Sequence, residues 1–438
     1  MNVQLAVLIA YAVLLVGVGL FVSRRVKKAD DFLVAGRSLS PALIATTFLA
    51  SNIGAGSTVG ATGLGYVYGL DAWWWVGSAG IGTLILANTV GPKIWTLAKA
   101  HGWRTVGDFL DFRYSRAVRG LIAVLLWFGT LMILAAQLIA IGKILQVVVG
   151  LEKWKGCAIG GVVVAIYFSA GGLFASAWVN VIQLTVKLVG FTLAIPFGIA
   201  AAGGWSALQP AMEASTPLGP RGVLNYLFIL VPSFIVSPGL IQKLYGARDA
   251  RAVRVGVNVN AIGLLAFAFI PAIIGVIAQT KFPGLPDREL ALPTVMTQLL
   301  PAWLGLLTLA AIFSAELSAS DAALFMLSSS LSVDLYKTFL KPEATDRDLL
   351  RVGRITGAVA AVAGTLLAIG LPSVISALQI FYTVMAAALS GPLIVGLYSL
   401  RPGPRRAIVA IVVAVAITAF MRSGPSGTIT SLVIMLIP

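Results

Sequence analysis

The sequence predicts an all-α polytopic membrane protein, and three observations carry that prediction. The 438 residues are 59% hydrophobic and only 11% charged, with a mean hydropathy of +0.97, which lies outside the range of soluble domains. Apolar runs of about 20 residues, the length that spans a bilayer as a helix, recur along the whole chain. Basic residues gather in alternate connections between those runs, as they do when every second loop faces the cytoplasm.

Spans are expected at 3–22, 41–68, 71–92, 118–149, 156–176, 179–202, 222–246, 255–279, 302–333, 352–371, 373–398 and 405–421, with 427–438 short for a crossing. The first run carries its positive charges after the apolar stretch, so it reads as a membrane helix and not as a signal peptide. Arg24, Arg25, Lys27, Lys28 and Arg37 follow it, and the connection after the third span holds Lys93, Lys99, Arg104, Arg113, Arg116 and Arg119. Lys243, Arg248, Arg251 and Arg254 follow the seventh span, with further basic groups after the ninth and eleventh. The opposite connections hold only Lys153, Lys155, Arg221, Lys281, Arg288 and Arg422. This bias puts the basic connections in the cytoplasm and the N-terminus outside a cell inner membrane. It also accounts for the net charge of +15 without nucleic acid as a partner.

The connection 92–119 is amphipathic and is expected to hold interfacial helices, with Trp95, Trp103 and Phe109 at headgroup level. Trp73, Trp74 and Trp75 read as an outer aromatic belt. Cys157 is the single cysteine, which excludes an intramolecular disulfide and leaves it the role of a small core residue. His101 is the only histidine, and no phosphate loop, zinc spacing or nucleophile elbow occurs, so the chain does not read as an enzyme.

The second span contains a conflict. Phe48 to Gly69 is apolar enough to cross, yet Asn52, Gly54, Gly56, Ser57, Thr58 and Gly60 disfavour a continuous helix. Irregular backbone at membrane depth is tolerated only inside protein or beside a watery cavity, so this helix is expected to open and coordinate something. Pro232 and Pro238 mark a second break in the seventh span. Freed carbonyls of Ala50 to Ser57 and a hydroxyl face of Ser314, Ser318 and Asp321 offer hard oxygen ligands for a small cation. The competing reading of that face is contact between helices rich in small residues.

Lys143, Lys187, Glu316 and Asp321 are ionisable residues inside spans, expensive there unless paired or functional. Lys143 lies near the outer end of its helix and is expected to snorkel. Lys187 lies mid-span, with Asp321 or Glu316 as its expected partner, and a buried amine can replace a bound cation by taking up a proton. Asn180 and Gln183 form a short polar face, read either as a capped helix start or as ligands. Gln137, Trp127, Asn225, Phe234, Gln242, Gln379 and Tyr382 are left to line a solute cavity or to pack between helices.

The stretches DDFLVAGRSLS, LASNIGAGSTVGATGLGYVYG, HGWRTVGDFLDFRYS, YFSAGGLFASAWVNVIQ and LSASDAALFMLSSSLSVDLYK, in this order and spacing, resemble the sodium:solute symporter family over nearly the whole chain. The resemblance implies an inverted-repeat (5+5 helix) amino-acid/sugar symporter fold in a single domain, 1–438. The extra N-terminal helix would be 3–22, the first repeat 41–202, the second 222–398, and the peripheral C-terminal helices 405–438. It implies sodium between the first and eighth core helices, held by carbonyls of Ala50, Ile53 and Ala315 and the hydroxyl of Ser318. Ala319 lacks the adjacent hydroxyl of the family pattern, and Asp321 or Ser320 would compensate. Counting from the other end of the motif puts Ser314 in that role. Asn180 stands where the family usually has an aspartate, which weakens a second sodium site.

Solute contacts would fall on Ser57, Thr58, Gln137, Phe234 and Tyr382, with Asn180, Lys187 and Glu316 as coupling residues. Ser57 replaces a glutamine that binds sugar in one relative. The expected function is symport of a small organic solute with a monovalent cation, sodium, without other cofactors and as a monomer. A proton-coupled carrier using Lys187 is the rival, and a non-transporting solute sensor and a channel are the alternatives from other classes.

Overall fold

A computed structural model of the chain describes residues 3–23, 29–169, 173–399, 402–421 and 424–437. The described residues are almost entirely helical and contain no sheet; one isolated parallel bridge joins Leu39 to Ala247. Helix α1 is Val3–Ser23. After the short helical segment Ala29–Val34, Ser40 caps the longer helix α2, with Pro41 in its first turn, an arrangement that starts a helix sharply. That helix ends at Asn52, and the chain resumes as α3, Val59–Tyr68, followed by α4, Trp73–Asn88. Pro41–Asn52 and the run Ala55–Asn88 meet at 73°.

Helices α5, Val90–His101, and α6, Val106–Arg113, form the expected connection. The long α7, Arg116–Val149, is capped by Ser115 and stopped by the left-handed Gly150. Then come α8, Lys153–Ser169, and α9, Leu173–Ala202. Helix α10, Gly219–Val236, runs through Pro232 and breaks at Ser237, whose side chain caps α11, Pro238–Tyr245. The longer α-helices that follow are α12, Ala250–Phe267; α13, Phe269–Lys281; α14, Ala291–Gln298; α15, Ala302–Ser329; α16, Asp346–Gly370; α17, Val374–Leu389; α18, Pro404–Met421; and α19, Gly424–Leu436.

Among the described residues, nine helices are long and apolar enough to cross a membrane, or ten if the bent pair counts as one span. The expected spans 41–68 and 71–92 together make that bent pair, and 156–176 is the 17-residue α8, short of the roughly 20 residues a crossing needs. Four expectations are corrected. The helix expected from 179 begins at Leu173, so Asn180 is a mid-helix residue and not a cap. Trp95, Trp103 and Phe109 are buried in protein, because the α5–α6 connection folds against the bundle instead of lying at the headgroups. Trp75 likewise turns inward from the expected belt, and Lys243, counted with a cytoplasmic loop, lies buried in α11.

The broken helix is the centre of the packing. Helix α2 lies against α9, α12 and α15, whereas α3 lies against α13 and α14. The contact of α3 with α13 is backbone on backbone: a Cβ on Gly275 would meet the Gly65 carbonyl carbon at 2.4 Å and the Thr62 oxygen at 2.5 Å. The Leu39–Ala247 bridge ties the segment entering α2 to the segment leaving α11, through Leu39 N–H to Gly246 O at 2.9 Å and Arg248 N–H to Leu39 O at 3.0 Å. The two interrupted helices are thereby held together at one end.

Candidate cation and solute site

Where α2 ends, the last intrahelical bond is Ile53 N–H to Leu49 O at 2.9 Å. Gly54 then turns to φ −133°, ψ −161°, so carbonyls from Ala50 onward lose their helical donors. A Cβ on Gly54 would meet the Ala319 Cβ at 2.6 Å, which is why the chain passes α15 here with glycine. Side chains hold the opening in shape. Gln137 Oε1 accepts from Ala55 N–H at 2.8 Å, Ser57 Oγ donates to Asn52 O at 2.8 Å, and Trp75 Nε1 donates to Gly56 O at 2.9 Å.

The freed oxygens converge on Lys187. Its Nζ donates to Ala50 O at 2.6 Å, to Ile53 O at 3.1 Å and to Ser318 Oγ at 2.6 Å. An ammonium has three donors, and here all three have an acceptor. Ser318 Oγ also lies 2.8 Å from Ala50 O and 3.1 Å from Ala315 O, so the four residues form one oxygen cradle. The negative end of α2 points into it and favours a positive charge. Lys187 is fully buried, with no carboxylate at ion-pair distance among the described residues. The ion pair expected for it is therefore replaced by neutral oxygens.

The other candidates lie around the cradle. Glu316 Oε1 accepts from Thr58 Oγ1 at 3.0 Å, while its Oε2 is buried without a partner. Asp321 accepts from Ser176 and stays off the cradle. Ser314, one turn away, accepts from Tyr11 of α1 at 3.0 Å and approaches Gln183 O at 3.3 Å. Asn180 Nδ2 donates to Thr47 Oγ1 at 3.2 Å, and the Gln183 amide is buried without a partner. Lys143 does not snorkel; it pairs with Asp287.

Beside the opened backbone lies a cavity of about 100 Å³. Ser57, Gln137, Phe234 and Tyr382 line it; Thr58 does not. Trp75, Phe381, Ser237 and Lys243 line it as well, beyond the residues that the sequence marks for it. A lysine within the apolar stretch SPGLIQKLYG was the available signal for the last of these. Around the cavity Trp75 meets Tyr226 edge-on at 5.3 Å, and Tyr382 meets Phe234 at 5.5 Å. Beyond them the buried Glu289 accepts from Val374 N–H at 3.0 Å and Ile375 N–H at 3.3 Å, tying the segment before α14 to the start of α17. Burial raises the Glu289 carboxyl above its ordinary range in spite of these two donors.

A sequence profile of the sodium:solute symporter family matches residues 32–421. The chain is similar to the sodium/pantothenate symporter of Escherichia coli (strain K12), 26% identical over 447 residues, which cover 95% of this chain and 90% of that one. It is also similar to the sodium/glucose cotransporter of Vibrio parahaemolyticus, 25% identical over 475 residues, covering 97% and 86%. The high affinity choline transporter 1 of Homo sapiens is 24% identical over 394 residues, covering 83% and 67%. In fold the chain is like a substrate-bound, outward-open Na+-coupled sialic acid symporter, with a TM-score of 0.83, 20% identity and coverage of 99% and 96%. A nucleobase-cation-symport-1 family transporter in a closed conformation gives a TM-score of 0.60 at 18% identity, covering 92% and 91%.

Proposed function

The chain belongs to the sodium:solute symporter family, and on that premise we propose that it couples movement of a small organic solute through the central cavity to a cation held by Ala50, Ile53, Ala315 and Ser318. It is a membrane symporter and not an enzyme. The observation that carries the site is the convergence of freed α2 carbonyls and the Ser318 hydroxyl on one buried positive charge, next to the cavity. Two ligands that share one closed state each raise the affinity of the other by the same factor, which is the coupling a symporter needs.

The coupling ion of this proposal is sodium, entering the cradle as Lys187 withdraws. Hard carbonyl and hydroxyl oxygens suit it, and the relatives named for sodium support it. One observation favours a second reading, in which the proton on Lys187 is the coupling ion: the ammonium already takes the place of a bound cation. Uptake of a solute panel into proteoliposomes under separately imposed sodium and proton gradients decides between them. Accumulation that requires sodium upholds the first reading, and accumulation driven by a proton gradient in sodium-free buffer replaces it with the second.

The architecture proposed for this cycle is the inverted repeat, 41–202 against 222–398, with 3–22 and 405–438 outside it and the N-terminus outside the cell membrane. Two interrupted helices, α2–α3 and α10–α11, at corresponding places in the two halves support it. In this proposal the aromatic groups and the Glu289 tie gate the outer side of the cavity, and solute release proceeds toward Lys243 and Met326. One chain contains both cradle and cavity, which supports a functional monomer.

A further inference from the structure

Lys243 is 4% exposed and lines the central cavity, yet among the described residues its one hydrogen bond is the long one from Nζ to Thr47 O at 3.4 Å. Among the described residues two of its three protons have no acceptor and no carboxylate lies within 4.0 Å. Asp321 acts on it electrostatically from beyond ion-pair distance, but that carboxylate accepts from Ser176 and does not line the cavity. An ammonium kept this way is costly unless something pairs with it.

The rest of the cavity wall is uncharged, with Ser51, Asn52, Ser57 and Gln137 as further polar groups. No aspartate or glutamate lines it. Ser237 accepts from Leu240 N–H at 3.4 Å and keeps its own hydroxyl proton, and Ser237 and Gly239 put the positive end of the eight-residue α11 at the wall. Trp75, Phe234 and Phe381 also line the cavity, their rings gathered around Tyr382. One lysine charge on a wall of aromatic and neutral polar groups, with no aspartate or glutamate among the described lining residues, selects a small molecule with one negative group and an uncharged body. A quaternary amine would meet the Lys243 charge head-on, and a neutral polyol would leave that charge unpaired.

We propose that the transported solute is a small organic carboxylate whose carboxylate group is bound by Lys243 and Ser237. This rests on the symporter reading and supplies its substrate class. Lys243 makes the charge-assisted bond, Ser237 donates the second, and the co-transported cation in the cradle offsets the charge of the solute.

The test is uptake into proteoliposomes of the full chain with sodium and proton gradients imposed together. The panel is lactate, benzoate, pantothenate and N-acetylneuraminate, each beside its primary amide, with glucose and choline as the neutral and cationic probes. The expected result is accumulation of at least one carboxylate and not of its amide. Lys243→Met should weaken apparent affinity for it on the order of 100-fold, as expected for truncating one partner of a buried charge pair, and Lys243→Arg should restore most of it. Lys243→Gln takes the place of the methionine variant if that chain does not purify folded. Accumulation of glucose, choline or the amides alone overturns the carboxylate assignment and leaves the symporter reading standing, as does a methionine variant with unchanged carboxylate affinity. If nothing accumulates, the symporter reading fails first. Tryptophan fluorescence of the purified chain then decides the assignment: a carboxylate-specific change lost in Lys243→Met upholds it, and no such change overturns it.

Discussion

Lys187 finds three oxygens for three protons because the chain stops being helical three residues after Ala50. Lys187→Met removes the donors and leaves the buried Ile53 carbonyl unsatisfied, a loss of about 1–3 kcal/mol by the usual cost of such a group, while Ser318 Oγ still donates to Ala50 O. The expected outcome is a lower melting temperature in sodium-free buffer, with sodium restoring more stability to the variant than to the parent. Thermal melts with and without sodium chloride measure it, and an equal sodium effect in both chains would remove sodium from the cradle. Ser318 and Ser314 are separable in the same way. Ser318 contacts Ala50 O and Lys187, whereas Ser314 contacts Tyr11 and Gln183. Ser318→Ala should raise the half-saturating cation concentration on the order of tenfold, the equivalent of about 1.4 kcal/mol, and Ser314→Ala should leave it nearly unchanged. The reverse order in a cation titration of uptake would move the cradle by one helical turn.

At the scale of elements, glycine lets backbones meet where the broken helix passes its neighbours. Gly275→Ala sets a methyl against the backbone of α3 with no flexible side chain to give way. Overpacking of this kind costs about 3 kcal/mol, to be read as a fall in melting temperature and yield. Gly56→Ala differs: its Cβ would meet Leu378 Cδ1 at 2.4 Å, the movable end of a side chain that lines the cavity. Its expected effect is a higher KM for solute with little change in melting temperature. Glu289 joins the segment before α14 to α17, and its raised pKa gives a pH signature. A carboxyl whose folded pKa lies above the unfolded value of about 4.3 contributes stability that is present below the unfolded pKa. That contribution is lost as pH rises through the folded pKa. Melting temperature should show this downward step as pH rises above 4, and Glu289→Gln should flatten it; a step of equal size in the variant would assign it to another group.

The whole molecule is a bundle in which one bent unit, Pro41–Asn52 with Ala55–Asn88, separates a cradle side from a cavity wall. Its proposed orientation rests on the basic connections. Glu213 and Glu343 are exposed and lie on opposite sides of that topology, and the single native cysteine, Cys157, is buried. Glu213→Cys should react with a membrane-impermeant maleimide on intact cells, and Glu343→Cys only after permeabilisation. The opposite pattern would invert the orientation.

The sequence by itself determined that the chain crosses a membrane repeatedly, since hydropathy and span length depend only on local composition. It also marked the helix break, because glycine, asparagine and hydroxyl residues between 52 and 60 weaken a helix wherever it is placed. Those motifs in their order were enough to point to the family. Which oxygens meet Lys187 was not legible, because Ala50, Lys187 and Ser318 are 137 and 131 residues apart in sequence. Neither was the inward turn of Trp75, which reads as a membrane-interface residue until Gly56 O is placed beside it. Lys243 shows the limit most clearly. In the sequence it is one more positive charge near a cytoplasmic loop; only the break at Ser237, which turns α11 against α2, put that charge inside the cavity. Local chemistry sets where a helix can open, and the packing of distant helices sets what the opening faces.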